Sequence, residues 1–217
     1  MPLIATDMSA ALADAANHLG VGLSNETAAQ LLAYAALIAK WTKVYNLTAV
    51  RDPADMLTHH LLDSLAVIAP LKRHLPRGTL LDVGSGAGLP GVVIAICCPE
   101  IHVTCVDAVA KKATFIKQVA LELKLPNLVG LHARVENVSQ PADVVCSRAF
   151  ASLTDFTQWS AGALAPQGIW MAMKGKHPIE ELAALPASID VFHVEPLQVP
   201  GLQADRCIVW MRKKPVS

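Results

Sequence analysis

Asp82, the glycines at 84, 86, 88 and 91, and Asp107 are the residues whose types and spacing could do chemistry. Glycine lets a backbone approach a ligand where any Cβ would clash. In LLDVGSGAGLPGVVIAI, Leu80 to Ile96, two glycine frames overlap. Gly86-x-Gly88-x-x-Gly91 has the spacing of a dinucleotide fingerprint, which seats a pyrophosphate on a helix N-terminus. Gly84-x-Gly86-x-Gly88, with Asp82 two residues ahead, has the spacing of a loop for S-adenosylmethionine, a ligand with a cationic sulfonium and an ammonium group. An acid before the first glycine suits the cation and opposes the pyrophosphate. Gly84 also holds the expected place at a strand end, so the loop Gly84, Ser85, Gly86, Gly88 is read in the S-adenosylmethionine frame and Gly91 as helix packing. Asp107 follows about 20 residues later at the end of the next strand, where a carboxylate can accept from ribose hydroxyls. Each acid has a plainer alternative: Asp82 could brace the loop, and Asp107 could cap the helix near Lys111.

The methyl acceptor must be sought at the end of the fourth strand, VVCSRAF (Val144 to Phe150). The Asn/Asp-Pro-Pro-aromatic signature of exocyclic-amine methylation is absent. Covalent attack on a pyrimidine needs a reactive Cys, commonly after Pro; Cys146 lacks the Pro and reads as a buried, inert thiol. Guanine N7 carries a lone pair and no proton, so its methylation needs only positioning. Arg148 can donate paired hydrogen bonds to a phosphate, a guanine edge or a carboxylate; its structural alternative is a salt bridge with an acid such as Asp155.

These residues must be held by a scaffold. Residues 1–76 read as helix only: Ser9 to Leu19 closing at Gly20, a longer helix opened by Ser24 with the stripe Leu31, Leu32, Ala35, Ile38, Trp41, and a third begun by Asp52-Pro53. Residues 77–217 alternate strand and helix. Strands are expected at Thr79–Val83, His102–Asp107, Leu128–His132, Asp143–Ser147, Gly168–Met173, Asp190–Val194 and Cys207–Arg212. Helices are expected at Gly91–Cys97, Lys111–Leu123, Leu153–Leu164 and Ile179–Leu185. The pattern predicts an α/β fold of the class I S-adenosylmethionine-dependent methyltransferase type: a Rossmann-like, doubly wound seven-stranded sheet with its last strand antiparallel, and an N-terminal helical arm packed on the core.

At 217 residues, with 53% hydrophobic and 17% charged residues, the chain suits one compact unit. Eighteen basic and eighteen acidic residues cancel, so a nucleic-acid partner must be argued from local clusters. Five cysteines without a C-x-x-C pair speak against a disulfide framework or zinc site. His59-His60 lacks a completing ligand set, so no metal is expected. No apolar run reaches the roughly 20 residues of a membrane span, and the start MPLIATDMSA lacks a signal-peptide pattern. A soluble cytoplasmic protein, without membrane partners and monomeric, is the expectation.

LDVGSGAGLPGVVIAI, together with VVCSRAFASL, AMKGK and the upstream KWTKVYNLTAVRDPADMLTHHLLDSL, resembles the bacterial 16S rRNA guanine-N7 methyltransferases of the glucose-inhibited-division-protein-B family. The likeness runs from the helix before Trp41 to the final CIVWMRKK. It implies transfer of a methyl group from S-adenosylmethionine to a guanine in the 530 loop of small-subunit rRNA, free or in a precursor particle. Cofactor positions of the family fall on Gly84, Leu89, Val135, Glu136 and Arg148. Cys146 and Val92-Val93 depart conservatively from the pattern. Lys174 and Lys176, on the edge bearing the glycine loop, are the first expectation for RNA contact, with Lys43 and Arg51 around Trp41 and Tyr45 the second; Trp41 itself extends a core stripe. The competing readings are an NAD-dependent oxidoreductase and a non-catalytic adenosyl-binding ribosome-assembly module.

Overall fold

A computed structural model describes residues 2–215, the side chains of 2–7 and Pro53 excepted; the end residues 1, 216 and 217 of the two expected units lie outside the described residues. The arm comprises α1 (Pro2–His18), α2 (Asn25–Tyr45), α3 (Pro53–Met56), a π-helical turn (Leu57–Leu62), α4 (Asp63–Leu65) and α5 (Ile68–His74). The sheet region follows as β1 (Gly78–Val83), α6 (Gly91–Cys97), β2 (Ile101–Asp107), α7 (Ala110–Glu122), β3 (Leu128–His132), a 3₁₀ turn (Val135–Asn137), β4 (Ala142–Arg148), α8 (Leu153–Trp159), β5 (Leu164–Lys174), α9 (Ile179–Ala183), β6 (Ile189–Leu197) and β7 (Arg206–Lys213).

The helix ends obey local chemistry. Gly20 takes a left-handed conformation (φ 69°), and Val21 N–H returns to the Ala16 carbonyl at 2.9 Å, closing α1. Ser24 Oγ accepts from Thr27 N–H at 3.0 Å at the start of α2. Asp52 Oδ1 accepts from Ala54 and Asp55 N–H at 2.8 and 3.2 Å, capping α3. The expected helix Leu153–Leu164 is shorter: α8 stops at Trp159, Ser160 to Gly162 turn, and Leu164 already begins β5. α1 begins earlier than expected, at Pro2.

The strand order is β3-β2-β1-β4-β5-β7-β6, with β7 antiparallel to both neighbours and the other pairs parallel. Alternation along each strand feeds two cores. Leu80, Val103, Cys105, Val144, Met171 and Trp210 face the arm helices, α6 and α7. Leu81, Val83, Val106, Val145, Trp170 and Met211 face the other way, toward Leu153 and Phe156 of α8. The arm therefore supplies part of one covering layer, with Leu12, Leu31, Tyr34, Ile38 and Leu65 in the same core as the sheet. Strand order reverses at β1, whose neighbours β2 and β4 are followed by connections that diverge and open a crevice at the strand C-termini.

Candidate active site

The glycine loop leaves β1 at that crevice. Gly84 N–H bonds the Val106 carbonyl at 2.9 Å, and Gly88 N–H returns to Ser85 O at 2.7 Å, so the loop folds on itself before α6. Gly84, Gly86 and Gly88 all have left-handed φ, of 65°, 60° and 92°. Their surroundings differ. A Cβ on Gly88 would lie 2.4 Å from Val92 and 2.6 Å from Ile116, and one on Gly84 would lie 2.3 Å from Phe150. At Gly86 nothing lies nearer than the Gly84 carbonyl at 4.0 Å, so that position borders open cleft. Gly91 packs α6 on the sheet, as expected: a Cβ there would meet Cys105 Sγ at 2.5 Å and Asp82 Oδ2 at 2.7 Å.

Asp82 is fully buried beneath this loop, where its Oδ2 accepts from Gly91 N–H at 2.9 Å. It takes the brace position and does not line the cleft. Burial pushes its carboxyl up to about 7, against the opposing Gly91 hydrogen bond and the Arg148 charge. Asp107 does line the cleft. Its Oδ2 accepts from Gly86 N–H at 3.0 Å and its Oδ1 from Val109 N–H at 2.8 Å, with Lys112 Nζ 3.6 Å away. One carboxylate thus ties the end of β2 to the loop and starts the approach to α7.

Two cavities flank Gly84 and Ala149. One, of about 380 Å³, is bounded by Asp107, Val135, Glu136, Phe150 and Trp159. The other, of about 410 Å³, is bounded by Gly84 to Ala87 and Leu89 on the loop side and by Thr48, His60, Asp63, Arg148 and Arg206 opposite. Ser85 Oγ, in the loop wall, is buried without a hydrogen-bond partner among the described residues. Gly86 borders space that a Cβ would enter, Ser85 Oγ is unpartnered in the loop wall, and the Asp107 carboxylate stands at the cleft. These residues fit S-adenosylmethionine.

Arg148 is paired, as its structural alternative held, but with the arm. Its Nη1 donates to Asp63 Oδ2 at 2.8 Å and to the His59 carbonyl at 3.0 Å. Asp155, the partner suggested by proximity in sequence, accepts from Ser152 Oγ instead. Asp63 is 2% exposed and receives a second guanidinium, Arg206 Nε, on Oδ1 at 2.7 Å. The π-helical turn widens the arm helix here, Asp63 N–H reaching back to the Thr58 carbonyl, and puts His60 and Asp63 into the cavity wall. His60 Nε2 is 2.7 Å from Thr48 Oγ1, and burial lowers its pKa. Asp63, Arg206, Thr48 and Tyr34 were not singled out from the sequence. A lone acid inside the apolar HLLDSL was the one signal available for Asp63.

The expected RNA contacts separate. Lys174 Nζ is held by both Glu181 oxygens (3.0 and 2.7 Å) and by the Ala151 carbonyl (3.0 Å), which removes it as a free cation. Lys176 and Lys43 are exposed, and Arg51 donates to Asn46 Oδ1 at 2.6 Å. Trp41 packs between Tyr45 and Phe115, with ring centroids 5.2 and 5.4 Å away, so it is largely a core side chain. Cys146 is fully buried and burial pushes its thiol well up, away from the reactive thiolate.

Among solved structures the chain is similar to a Burkholderia thailandensis 1,6-didemethyltoxoflavin-N1-methyltransferase with bound S-adenosylhomocysteine (TM-score 0.57, 16% identity, 85% of this chain and 90% of that one). It is also similar to a SAM dependent methyltransferase from Aquifex aeolicus (TM-score 0.56, 18% identity, 76% and 96%). Both likenesses show the fold. Among curated proteins it is 69% identical over 205 residues to the ribosomal RNA small subunit methyltransferase G of Polaromonas naphthalenivorans (92% of each chain). It is 62% identical over 217 residues to the protein of the same name from Acidovorax ebreus (95% and 96%). The family model described as rRNA small subunit methyltransferase G (GidB) matches residues 27–209. With that span and those relatives, the chain belongs to the GidB family of S-adenosylmethionine-dependent methyltransferases.

Proposed function

We propose that the protein transfers a methyl group from S-adenosylmethionine to N7 of a guanine in the 530 loop of 16S rRNA, presented by the rRNA or a small-subunit precursor, and acts as a monomer in the cytoplasm. The carrying observation is membership of a family whose curated members are named for small-subunit rRNA methylation. When bound, S-adenosylmethionine supplies an electrophilic methyl group on a sulfonium. Asp107 is the residue to hold the ribose, and Val135 and Glu136 border the space for the base. Gly84, Ser85, Gly86 and Leu89 cradle the methionine end, with Arg148 across the cavity.

The acceptor chemistry is supported by how the cavity's titratable groups are spent. Asp63, its one carboxylate among the lining residues, is engaged by two arginines. His60 is bonded to Thr48 and held toward its neutral form. Cys146 is sealed in the sheet. Among the described residues lining this cavity no carboxylate, imidazole or thiol is left free to act as base or nucleophile, which matches an acceptor atom that brings its own lone pair and needs only alignment. Gly84, the residue directly after β1, supports the S-adenosylmethionine frame over the dinucleotide frame, while Asp82 braces the loop through Gly91 N–H.

Mass mapping of small-subunit rRNA from a deletion strain, with and without complementation, tests this reading. The expected result is loss of one N7-methylguanine and its return on complementation. An unchanged signal would favour a non-catalytic assembly role.

A further inference from the structure

Guanine and adenine both carry a nucleophilic N7 on one edge. They differ beside it, where guanine has the acceptor O6 and adenine the donor amino group. A site that methylates guanine N7 can therefore reject adenine by placing a donor for O6, since N7 itself faces the methyl group. Three cations line the cavity beside the glycine loop: Arg148, Lys174 and Arg206. Lys174 is saturated, with three donor hydrogens and three acceptor atoms around it. Arg148 spends Nη1 on Asp63 and the His59 carbonyl and borders this cavity alone, whereas Arg206 also borders a second one. Arg206 is fixed through Nε on Asp63 and through Nη1 on the Asp205 carbonyl at 2.8 Å. Its Nη2 makes no hydrogen bond among the described residues. The neighbouring cavity that Arg206 also borders has a volume of about 590 Å³, so Arg206 stands on the wall between the two, beside Gly175.

We propose that Arg206 selects guanine, its Nη2 donating to O6 of the target base, and that buried Asp63 is the positioning residue that holds the guanidinium for this contact. The inference rests on the guanine-N7 reading. A guanidinium anchored by two other bonds has lost most of its rotamer freedom, so it offers a directed donor and not a diffuse charge.

The test uses small-subunit particles reconstituted with rRNA carrying guanine or 2-aminopurine at the target position; 2-aminopurine keeps N7 and the 2-amino group and lacks O6. The kcat/KM ratio of guanine to 2-aminopurine is measured for the wild type and for Arg206→Met. Intrinsic N7 reactivity cancels between the two proteins. The wild-type ratio should exceed that of Arg206→Met by about 10- to 100-fold, the range of a charge-assisted hydrogen bond; both ratios are read at saturating S-adenosylmethionine, so any change in its affinity cancels. Asp63→Asn should lower the same ratio, and selectivity intact in that variant would overturn the positioning role. Equal ratios in wild type and Arg206→Met would overturn the O6 contact, even with a slower variant, because a phosphate contact slows both substrates alike. If Arg206→Met does not fold, Arg206→Lys gives the same readout, with an expected intermediate ratio; a wild-type ratio there would count against the contact. A wild type that fails to methylate guanine itself overturns the underlying reading and is seen separately in the first measurement.

Discussion

Gly86 and Gly84 share a left-handed backbone, yet a side chain would meet open cleft at one and Phe150 at the other. Gly86→Val should therefore keep the fold, at a cost of about 1–2 kcal/mol for left-handed strain, and reduce S-adenosylmethionine affinity at least about 100-fold by filling the cleft. Calorimetric titration beside thermal unfolding checks both, and unchanged affinity would refute the loop assignment. Asp82 carries a second prediction. Because its folded carboxyl titrates near 7, above the usual carboxylate range, the folded protein binds a proton between those limits that the unfolded chain does not. Its contribution to stability is present at low pH and is lost as pH rises through about 7. Relative to Asp82→Asn, which can still accept from Gly91, wild-type stability in urea titrations should fall across that window and level off above it. A flat difference from pH 4 to 8 would show that the carboxyl is not shifted. Cys146→Val should retain methyl transfer within about threefold, because the buried thiol makes no nucleophile; complete loss in a folded variant would revive covalent catalysis. The spacing of Gly84, Gly86 and Asp107 was readable because these contacts lie within one βαβ unit. Whether Asp82 touched ligand or braced the loop was not readable, since that turns on which side of β1 it faces relative to Gly91.

At the scale of elements, α2 fastens the glycine loop from outside the βαβ unit. The buried Tyr34 hydroxyl donates to the Ala87 carbonyl at 2.6 Å. Tyr34→Phe leaves that carbonyl without its donor and should cost about 1–2 kcal/mol of stability, with weaker S-adenosylmethionine binding because the loop loses an anchor. Urea denaturation and calorimetry check this; if neither quantity changes, α2 does not hold the loop. Seven strands and the helices around the glycine loop were legible from period-2 and period-3.6 patterns, Gly91–Cys97 to its ends. The expected helix Leu153–Leu164 overruns α8 because Ala161, Ala163 and Leu164 continue an apolar pattern, although they serve the turn and β5. The π-helical turn is not legible: hydrophobic spacing through Leu57–Leu62 suits an ordinary helix, and the partners of His60 and Asp63 there, Thr48, Arg148 and Arg206, are distant in sequence.

Across the whole molecule, the arm and sheet share one hydrophobic core, and the arm closes one side of the site. Asp63 joins Arg148 and Arg206 across sequence separations of 85 and 143 residues. Such pairings carry no local signal, which is why the far wall of the cavity came only from the structure. Lys174 makes the same point at short range, since its capture by Glu181 depends on the loop path after β5. Net charge is zero over the full sequence, so no general positive field draws RNA to the protein, and the proposed contacts are local, at that wall and at exposed cations such as Lys176. The most direct test incubates the purified protein with methyl-labelled S-adenosylmethionine and small-subunit particles from a strain lacking the enzyme, then locates the label in the rRNA. Label at a single N7-methylguanine in the 530 loop is the expected result; label on another atom or nucleotide, or none despite bound cofactor, would contradict guanine-N7 methylation.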